Sequence, residues 1–97
     1  MWRSGTKIEV TQGEGSDPMV FAVTISDSAG STRHRVTLTD ETLSQLAPAG
    51  TSPEAFVEAA FRFLLERETK SDILPSFDIN VIKMYFPSFE RDITGYF

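Results

Sequence analysis

Residues 52–65 read SPEAFVEAAFRFLL, and this stretch carries the strongest structural signal in the chain. Ser52 stands directly before Pro53, an arrangement that opens many helices, while Thr51 and Glu54 offer an alternative capping box. The apolar residues that follow at helical spacing are Phe56, Val57, Ala60, Phe61, Phe63, Leu64 and Leu65. Such a broad apolar face predicts a helix that lies on a sheet.

The segments before this helix alternate apolar and polar residues, as half-buried strands do. We expect strands within residues 6–12, 19–26 and 32–39, because loops rich in Gly, Ser, Asp and Pro separate them. The side chains expected to face the core are Ile8, Val10, Phe21, Val23, Ile25, Val36 and Leu38. The short connections predict an antiparallel meander with one face open to water.

Shorter helices are expected on both sides of the central one. Residues 40–47 predict a helix that Pro48 stops, and residues 71–75 form a connector. Asp78 is a candidate cap for a helix over residues 79–86, which Pro87 ends. Residues 88–93 predict a last short helix, capped by Ser88, and residues 94–97 a tail.

The expected architecture is therefore α+β, with a three-stranded antiparallel meander followed by about three helices packed on one of its faces. We expect residues 1–97 to form a single domain, with strands within 6–39 and helices within 40–93.

Composition narrows the classes of function. The 97 residues include 9 Lys and Arg against 14 Asp and Glu, so the net charge is −5. Because an acidic chain is repelled by phosphate backbones, nucleic acid is an unlikely partner. The chain has no Cys and a single His, so disulfides and zinc sites built from Cys or several His are excluded. We expect no metal and no cofactor.

Hydropathy gives a further expectation about location. The N-terminal residues lack the apolar stretch of a signal peptide, and no segment approaches the roughly 20 apolar residues of a membrane span. We expect a cytoplasmic protein that makes no contact with membranes.

Part of the chain resembles a known family. The segments SPE (52–54), FLLERE (63–68), SFD (76–78) and YFP (85–87) resemble the C-terminal half of a family of small uncharacterised bacterial proteins, in which a short β section comes first. The resemblance covers mainly residues 52–93. It implies a compact bacterial domain and no known activity, so it transfers no catalytic residue.

Candidate catalytic residues are few. His34 is the only histidine and lies between Arg33 and Arg35. It is a potential general base, but no nucleophile accompanies it in the sequence, so a strand-end or partner-contact role is favoured. Arg33 and Arg35 are candidates for polar contact with a partner, or they form a solvated sheet face. The carboxylates that were considered for a paired site are Glu66, Glu68, Asp72 and Asp78, and the sequence favours no pair among them.

Aromatic residues suggest where the protein acts. Apart from Trp2 and Phe21, they all lie in the second half of the chain. The leading hypothesis is a non-enzymatic protein-interaction or regulatory domain that acts through this half, by binding a partner or by forming a homodimer. The candidate surface comprises Phe77, Ile82, Tyr85, Phe86, Phe89 and Arg91.

Two other hypotheses stay open beside this one. The first is a small-molecule binding module with a pocket between the sheet and the helices, lined by Phe21, Phe56 and Phe61. The second is a small enzyme that uses His34 or carboxylates. The ordinary explanation of the aromatic residues, a core with a covering helix, also remains.

Overall fold

The fold was obtained as a computed structural model that describes residues 5–15 and 18–97. The strands are β1 (Lys7–Gln12), β2 (Met19–Asp27), β3 (Gly30–Leu38) and β4 (Ser76–Asp78). The α-helices are α1 (Asp40–Leu46), α2 (Pro53–Leu65), α3 (Ile82–Tyr85) and α4 (Phe89–Asp92). Short 3₁₀ turns occupy Lys70–Asp72, Ile79–Val81 and Ile93–Tyr96. The α+β class is therefore confirmed.

The sheet has four strands in the order β1-β2-β3-β4, so the predicted count of three was wrong. The meander itself is confirmed, since β1, β2 and β3 pair antiparallel in sequence order. The fourth strand pairs in parallel with β3, and Val36 lies opposite Phe77. A three-residue strand is too short to show alternation, and its partner in the sheet is about forty residues away along the chain.

Alternation along the strands separates the two faces of the sheet as the sequence predicts. The inward side chains of β2 and β3 are buried, whereas Ile8 and Val10 of the outer strand β1 are half-buried. On the opposite face Arg33 and Arg35 are exposed to solvent. The helical residues pack on the buried face and share one hydrophobic core with it.

Helix α2 supplies the largest part of the core. Ser52 caps it, because its Oγ accepts a hydrogen bond from the N–H of Ala55 at 3.1 Å, and Pro53 is the first helical residue. The fully buried aromatic residues of this helix are Phe56, Phe61 and Phe63. Truncating a buried Phe to Ala typically costs about 3–5 kcal/mol, so α2 is the main apolar support of the sheet.

The chain after β4 is less regular than the single helix predicted over residues 79–86. Asp78 does act as a cap, since its Oδ1 accepts from the N–H of Asn80 at 2.9 Å. The helix it begins is a 3₁₀ turn, followed by the single α-helical turn α3. Phe86 leaves the helical region with φ of −131° and ψ of 85°, as a residue before proline is expected to do.

The last residues were expected to form a tail, but they fold onto α2. The Tyr96 hydroxyl donates to Glu66 Oε1 at 2.7 Å, and the ring of Phe97 stacks on Phe56 with centroids 6.0 Å apart. Residues 88–93 do contain the short helix α4, although the Ser88 side chain makes no capping hydrogen bond.

Within residues 5–15 and 18–97, no helix combines the length and the apolar character that crossing a membrane requires.

Candidate functional site

An apolar groove with a volume of about 170 Å³ opens where the C-terminal end of α2 meets β4 and α3. The residues that line it are Leu64, Glu68, Asp72, Ile73, Leu74, Phe77, Val81, Ile82, Tyr85 and Phe86. We call it the Tyr85 groove, after the residue at its rim that is 65% exposed. Large apolar side chains that stay in contact with water beside a concave surface are typical of binding sites.

The rim of the groove follows from local sequence signals. Leu74 precedes Pro75, whose ring restricts Leu74 to extended conformations, and its side chain is 43% exposed. Tyr85 is the last residue of α3, and Pro87 ends that helix before another turn can cover the groove. The floor is formed by buried Leu64, Ile73 and Ile82, so it is continuous with the core.

His34 holds the Leu74 rim against the sheet. The residue is 95% buried, and Nδ1 donates to the Leu74 carbonyl oxygen at 2.8 Å. Nε2 lies 2.8 Å from Thr32 Oγ1, and the ring packs at a tilt against Phe61 with centroids 5.6 Å apart. Both ring nitrogens are thus engaged, which favours a structural role for His34 at the base of the site.

The charged side chains of the groove are two carboxylates, Glu68 and Asp72. Burial raises the pKa of the Glu68 carboxyl above its ordinary value, and the negative charge of Asp72 raises it further. Asp72 Oδ2 accepts a hydrogen bond from the Thr69 hydroxyl at 2.9 Å. Among the described residues, neither carboxylate forms an ion pair with a basic side chain.

The structure brings part of the predicted interaction surface together. Phe77, Ile82, Tyr85 and Phe86 all line the Tyr85 groove. Phe89 does not, because it is fully buried and its ring meets Phe63 edge-on with centroids 5.0 Å apart. Phe89 therefore belongs to the core.

The remaining basic candidates also lie outside the groove lining. Arg91 is exposed on α4, with its Nε 3.4 Å from Asp92 Oδ1. Arg33 and Arg35 lie on the open face of the sheet. Their neighbour His34 points to the opposite face, as its position in the alternation predicts.

The pocket proposed for a small molecule is not where the sequence suggested it. Phe21, Phe56 and Phe61 are fully buried and line neither the Tyr85 groove nor the other cavity described next. They were predicted to line a pocket because they are large, but in the structure these large side chains fill the core.

A second cavity of about 460 Å³ lies beside the end of β2 and the turn after α2. Its charged lining includes Asp27 and Lys70, and Lys70 Nζ donates to both carboxylate oxygens of Asp27 at 3.1 Å. Because these two groups already form an ion pair with each other, the cavity offers a ligand fewer unpaired charged groups than the groove does. Glu68 borders both cavities.

Sequence reasoning missed several residues of the site. Leu74 was assigned only to a connector, where a lone apolar residue is common. Val81 was recognised as apolar on the helical face next to Tyr85, but it was not chosen for the candidate surface. Glu68 and Asp72 were considered as carboxylates without any reason to prefer them. Their spacing of four residues falls after the end of α2, so helical periodicity did not apply to them.

Comparisons with known proteins add no relative to this chain. No protein-family model, no curated protein and no solved structure matches this chain. The resemblance of residues 52–93 to a bacterial family therefore stays a prediction.

In the part of the chain that the structure describes, no cluster of three or more His, Asp or Glu side chains has the arrangement of a metal site.

Proposed function

We propose that this protein is a non-enzymatic interaction domain whose Tyr85 groove receives a bulky apolar side chain of a partner protein. The observation that carries the proposal is the juxtaposition of exposed Leu74 and Tyr85 around a concave apolar floor. Removing solvent-exposed apolar groups of this kind from water is favourable, so it stabilises a complex with a partner that covers them.

The size of the groove favours a side chain over a free small molecule. Pockets for small-molecule ligands usually measure about 300–1,000 Å³, whereas a cavity of about 150 Å³ accommodates a single benzene ring. At about 170 Å³ the Tyr85 groove matches one aromatic or branched aliphatic side chain. The rest of the partner would then lie across the exposed rim, where Tyr85 offers a large rigid contact.

The chemistry of the site supports binding more than catalysis. Among the described residues that line the groove, the titratable groups are the two carboxylates and the hydroxyl of Tyr85. His34, the natural candidate for a general base, is buried beneath the rim with both nitrogens in hydrogen-bonding contact. A non-enzymatic role is therefore the simpler proposal.

The test is selection of random peptides displayed on phage against the immobilised wild-type protein. We expect selected peptides to share one bulky apolar residue, and to lose at least about tenfold in affinity on Tyr85→Ala and on Leu74→Ser, because hot-spot truncations of this kind cost 2 kcal/mol or more.

Met84→Ala is the matched control. Met84 is 77% exposed and adjoins Tyr85 in sequence, but it does not line the groove. Peptide affinity should be unchanged by this substitution. Selected peptides that bind Tyr85→Ala and Leu74→Ser as well as the wild type would disprove the groove as the binding site, provided that urea unfolding shows both variants to be folded.

Self-association is the second form of this proposal, because a second copy of the chain also presents apolar side chains. Light scattering across a concentration series separates the two forms. If the wild type forms a dimer that dissociates in the Tyr85→Ala variant, the groove binds a second copy of the chain. If the wild type is a monomer, the groove binds a different protein.

A further inference from the structure

Resting on the proposed function, we infer that the partner segment in the Tyr85 groove carries a lysine or arginine beside its apolar anchor, and that Glu68 and Asp72 bind this cation. The inference concerns the chemistry of the occupant, a basic peptide segment of another protein. It starts from the fact that both charged side chains of the groove are acidic.

Three carboxylates near the groove do have basic partners in the structure. Asp27 lies 3.1 Å from Lys70, and Glu66 and Asp92 lie 3.9 Å and 3.5 Å from Arg67. In the described residues no equivalent partner exists for Glu68 or Asp72, although both lie close in sequence to these same cations. The basic residues of this region are committed elsewhere, and the negative charge of the groove is left uncompensated.

Docking of a partner would make this charge costly. Glu68 is already half-buried, and a segment laid over Leu74 and Tyr85 would remove more water from its carboxylate. A buried carboxylate without a partner is unfavourable, so a neutral segment would bind at a penalty and an acidic one would be repelled. A lysine or arginine removes the penalty and forms a charge-assisted hydrogen bond.

The groove also suits the rest of a basic side chain. The alkyl stem of lysine or arginine packs on apolar surface while its charged end remains near water. Tyr85 and Phe86 line the same groove as the carboxylates, and aromatic rings attract cations placed over their faces. The net charge of −5 adds a weaker long-range attraction for basic partners.

The perturbation of Glu68 agrees with this arrangement. Its pKa is raised, first by burial and then by Asp72, which means that the free protein holds a carboxylate in surroundings that disfavour its charge. A cation from a partner would relieve this strain. Groups placed in such unfavourable surroundings are frequent at binding sites, where they reduce stability in exchange for function.

The experiment compares peptide selections on the wild type and on the double variant Glu68→Gln, Asp72→Asn. Wild-type selections should place a lysine or arginine within a few residues of the apolar anchor. Selections on the double variant should keep the anchor and lose the basic preference. For a peptide selected on the wild type, we expect affinity to fall about tenfold on the double variant and on replacement of its basic residue by Gln, without further loss when both changes are combined.

A control variant separates local binding from the general field of the protein. Glu9→Gln with Glu14→Gln removes the same amount of negative charge at exposed positions outside the groove lining. This variant should bind the basic peptide nearly as well as the wild type. If it weakens binding as much as Glu68→Gln with Asp72→Asn does, the cation is not bound at the groove and the inference fails.

The outcomes distinguish this inference from the proposed function. Peptides that depend on Tyr85 but show no basic preference would overturn the inference and leave the groove as a docking site. Peptides that ignore both Tyr85 and the carboxylates would overturn both. A wild-type dimer that Tyr85→Ala dissociates would assign the groove to a second copy, and the inference of a basic partner would fall.

Discussion

Glu68 lies in surroundings that disfavour the charged form of its side chain. Since its pKa is raised by burial and by Asp72, the folded chain binds a proton at this carboxyl more tightly than the unfolded chain does. The free energy of unfolding therefore falls as the pH rises from the ordinary Glu value of about 4.3 through the higher folded value. Ionisation of Glu68 thus makes the native state slightly less stable at neutral pH.

From this sign we predict that Glu68→Gln raises the free energy of unfolding at pH 7 and changes it little at pH 3, where the wild-type carboxyl is protonated in both states. Urea unfolding at the two pH values measures the effect. Glu14→Gln, at an exposed loop position, is the control and should give no such difference. A Glu68→Gln variant that is less stable at pH 7 would contradict the prediction.

At the level of secondary structure, the start of α2 illustrates how much a local motif can specify. The sequence offered two caps, Ser52 before Pro53 and the Thr51–Glu54 box, and the structure uses the first. Proline suits the first helical position because it lacks the N–H that would otherwise need a partner there. The Ser52 hydroxyl then satisfies one of the free N–H groups that remain.

We therefore predict that Ser52→Ala lowers the free energy of unfolding by about 1 kcal/mol, the usual cost of losing a cap. Thr51→Ala should change it by less than about 0.5 kcal/mol, because Thr51 makes no capping bond to α2. Urea unfolding of the two variants under the same conditions provides the comparison. Equal losses would mean that Thr51 shares the capping role.

Across the whole molecule, the sheet and the helical layer are joined by the ion pair between Asp27 at the end of β2 and Lys70 in the turn after α2. The two side chains are separated by 43 residues, yet both are largely shielded from solvent. The hydrogen bond from Lys70 is the main cause that lowers the pKa of Asp27, followed by the N–H of Ala29. A carboxyl with a lowered folded pKa contributes stability above its ordinary value of about 3.9 and loses it as the pH falls through the folded value.

We predict that Lys70→Met lowers the midpoint of urea unfolding at pH 7. The deficit should shrink as the pH falls below about 3.9, the ordinary Asp value, and through the lowered pKa of folded Asp27. The control is Lys83→Met. Lys83 lies 3.8 Å from Glu90 in an exposed pair, and such pairs contribute little. A deficit of the same size at every pH would indicate that Lys70 stabilises the fold through packing rather than through Asp27.

The accuracy of sequence reasoning differed between neighbouring parts of the chain for identifiable reasons. The inward positions of β2, such as Phe21 and Val23, were predictable because alternation of side chains is a property of each strand alone. Residues 79–86 were predicted as one helix because Ile79, Ile82 and Phe86 have helical spacing. The structure breaks that segment into a 3₁₀ turn and one α-helical turn.

The polar contacts around β4 explain this departure. Thr37 Oγ1 donates to Asp78 Oδ2 at 2.6 Å, and Asn80 Nδ2 donates to Thr42 Oγ1 at 2.9 Å. These bonds hold the start of the segment to β3 and α1, so tertiary contacts override its intrinsic preference. Periodicity also could not predict the contact that buried Thr42 makes with Asn80, because the two residues are 38 positions apart in the chain.

The candidate site shows the same division. Aromatic enrichment pointed to Phe77, Ile82, Tyr85 and Phe86, all of which line the groove, but it could not tell them from Phe89, which is core. Phe77, Phe86 and Phe89 are the same residue type, so size and hydrophobicity do not distinguish them. The difference is whether another element covers the ring, and that depends on contacts with residues far away in the chain.

Patterns within short stretches of the chain were sufficient for the meander, the faces of its strands, the start of α2 and the α+β class, because each depends on residues within one or two turns or strands. The parallel strand β4, the Tyr85 groove and the isolation of Glu68 and Asp72 from the cations near them arose only on folding. They depend on which groups meet across gaps of tens of residues, and local periodicity does not encode such pairings.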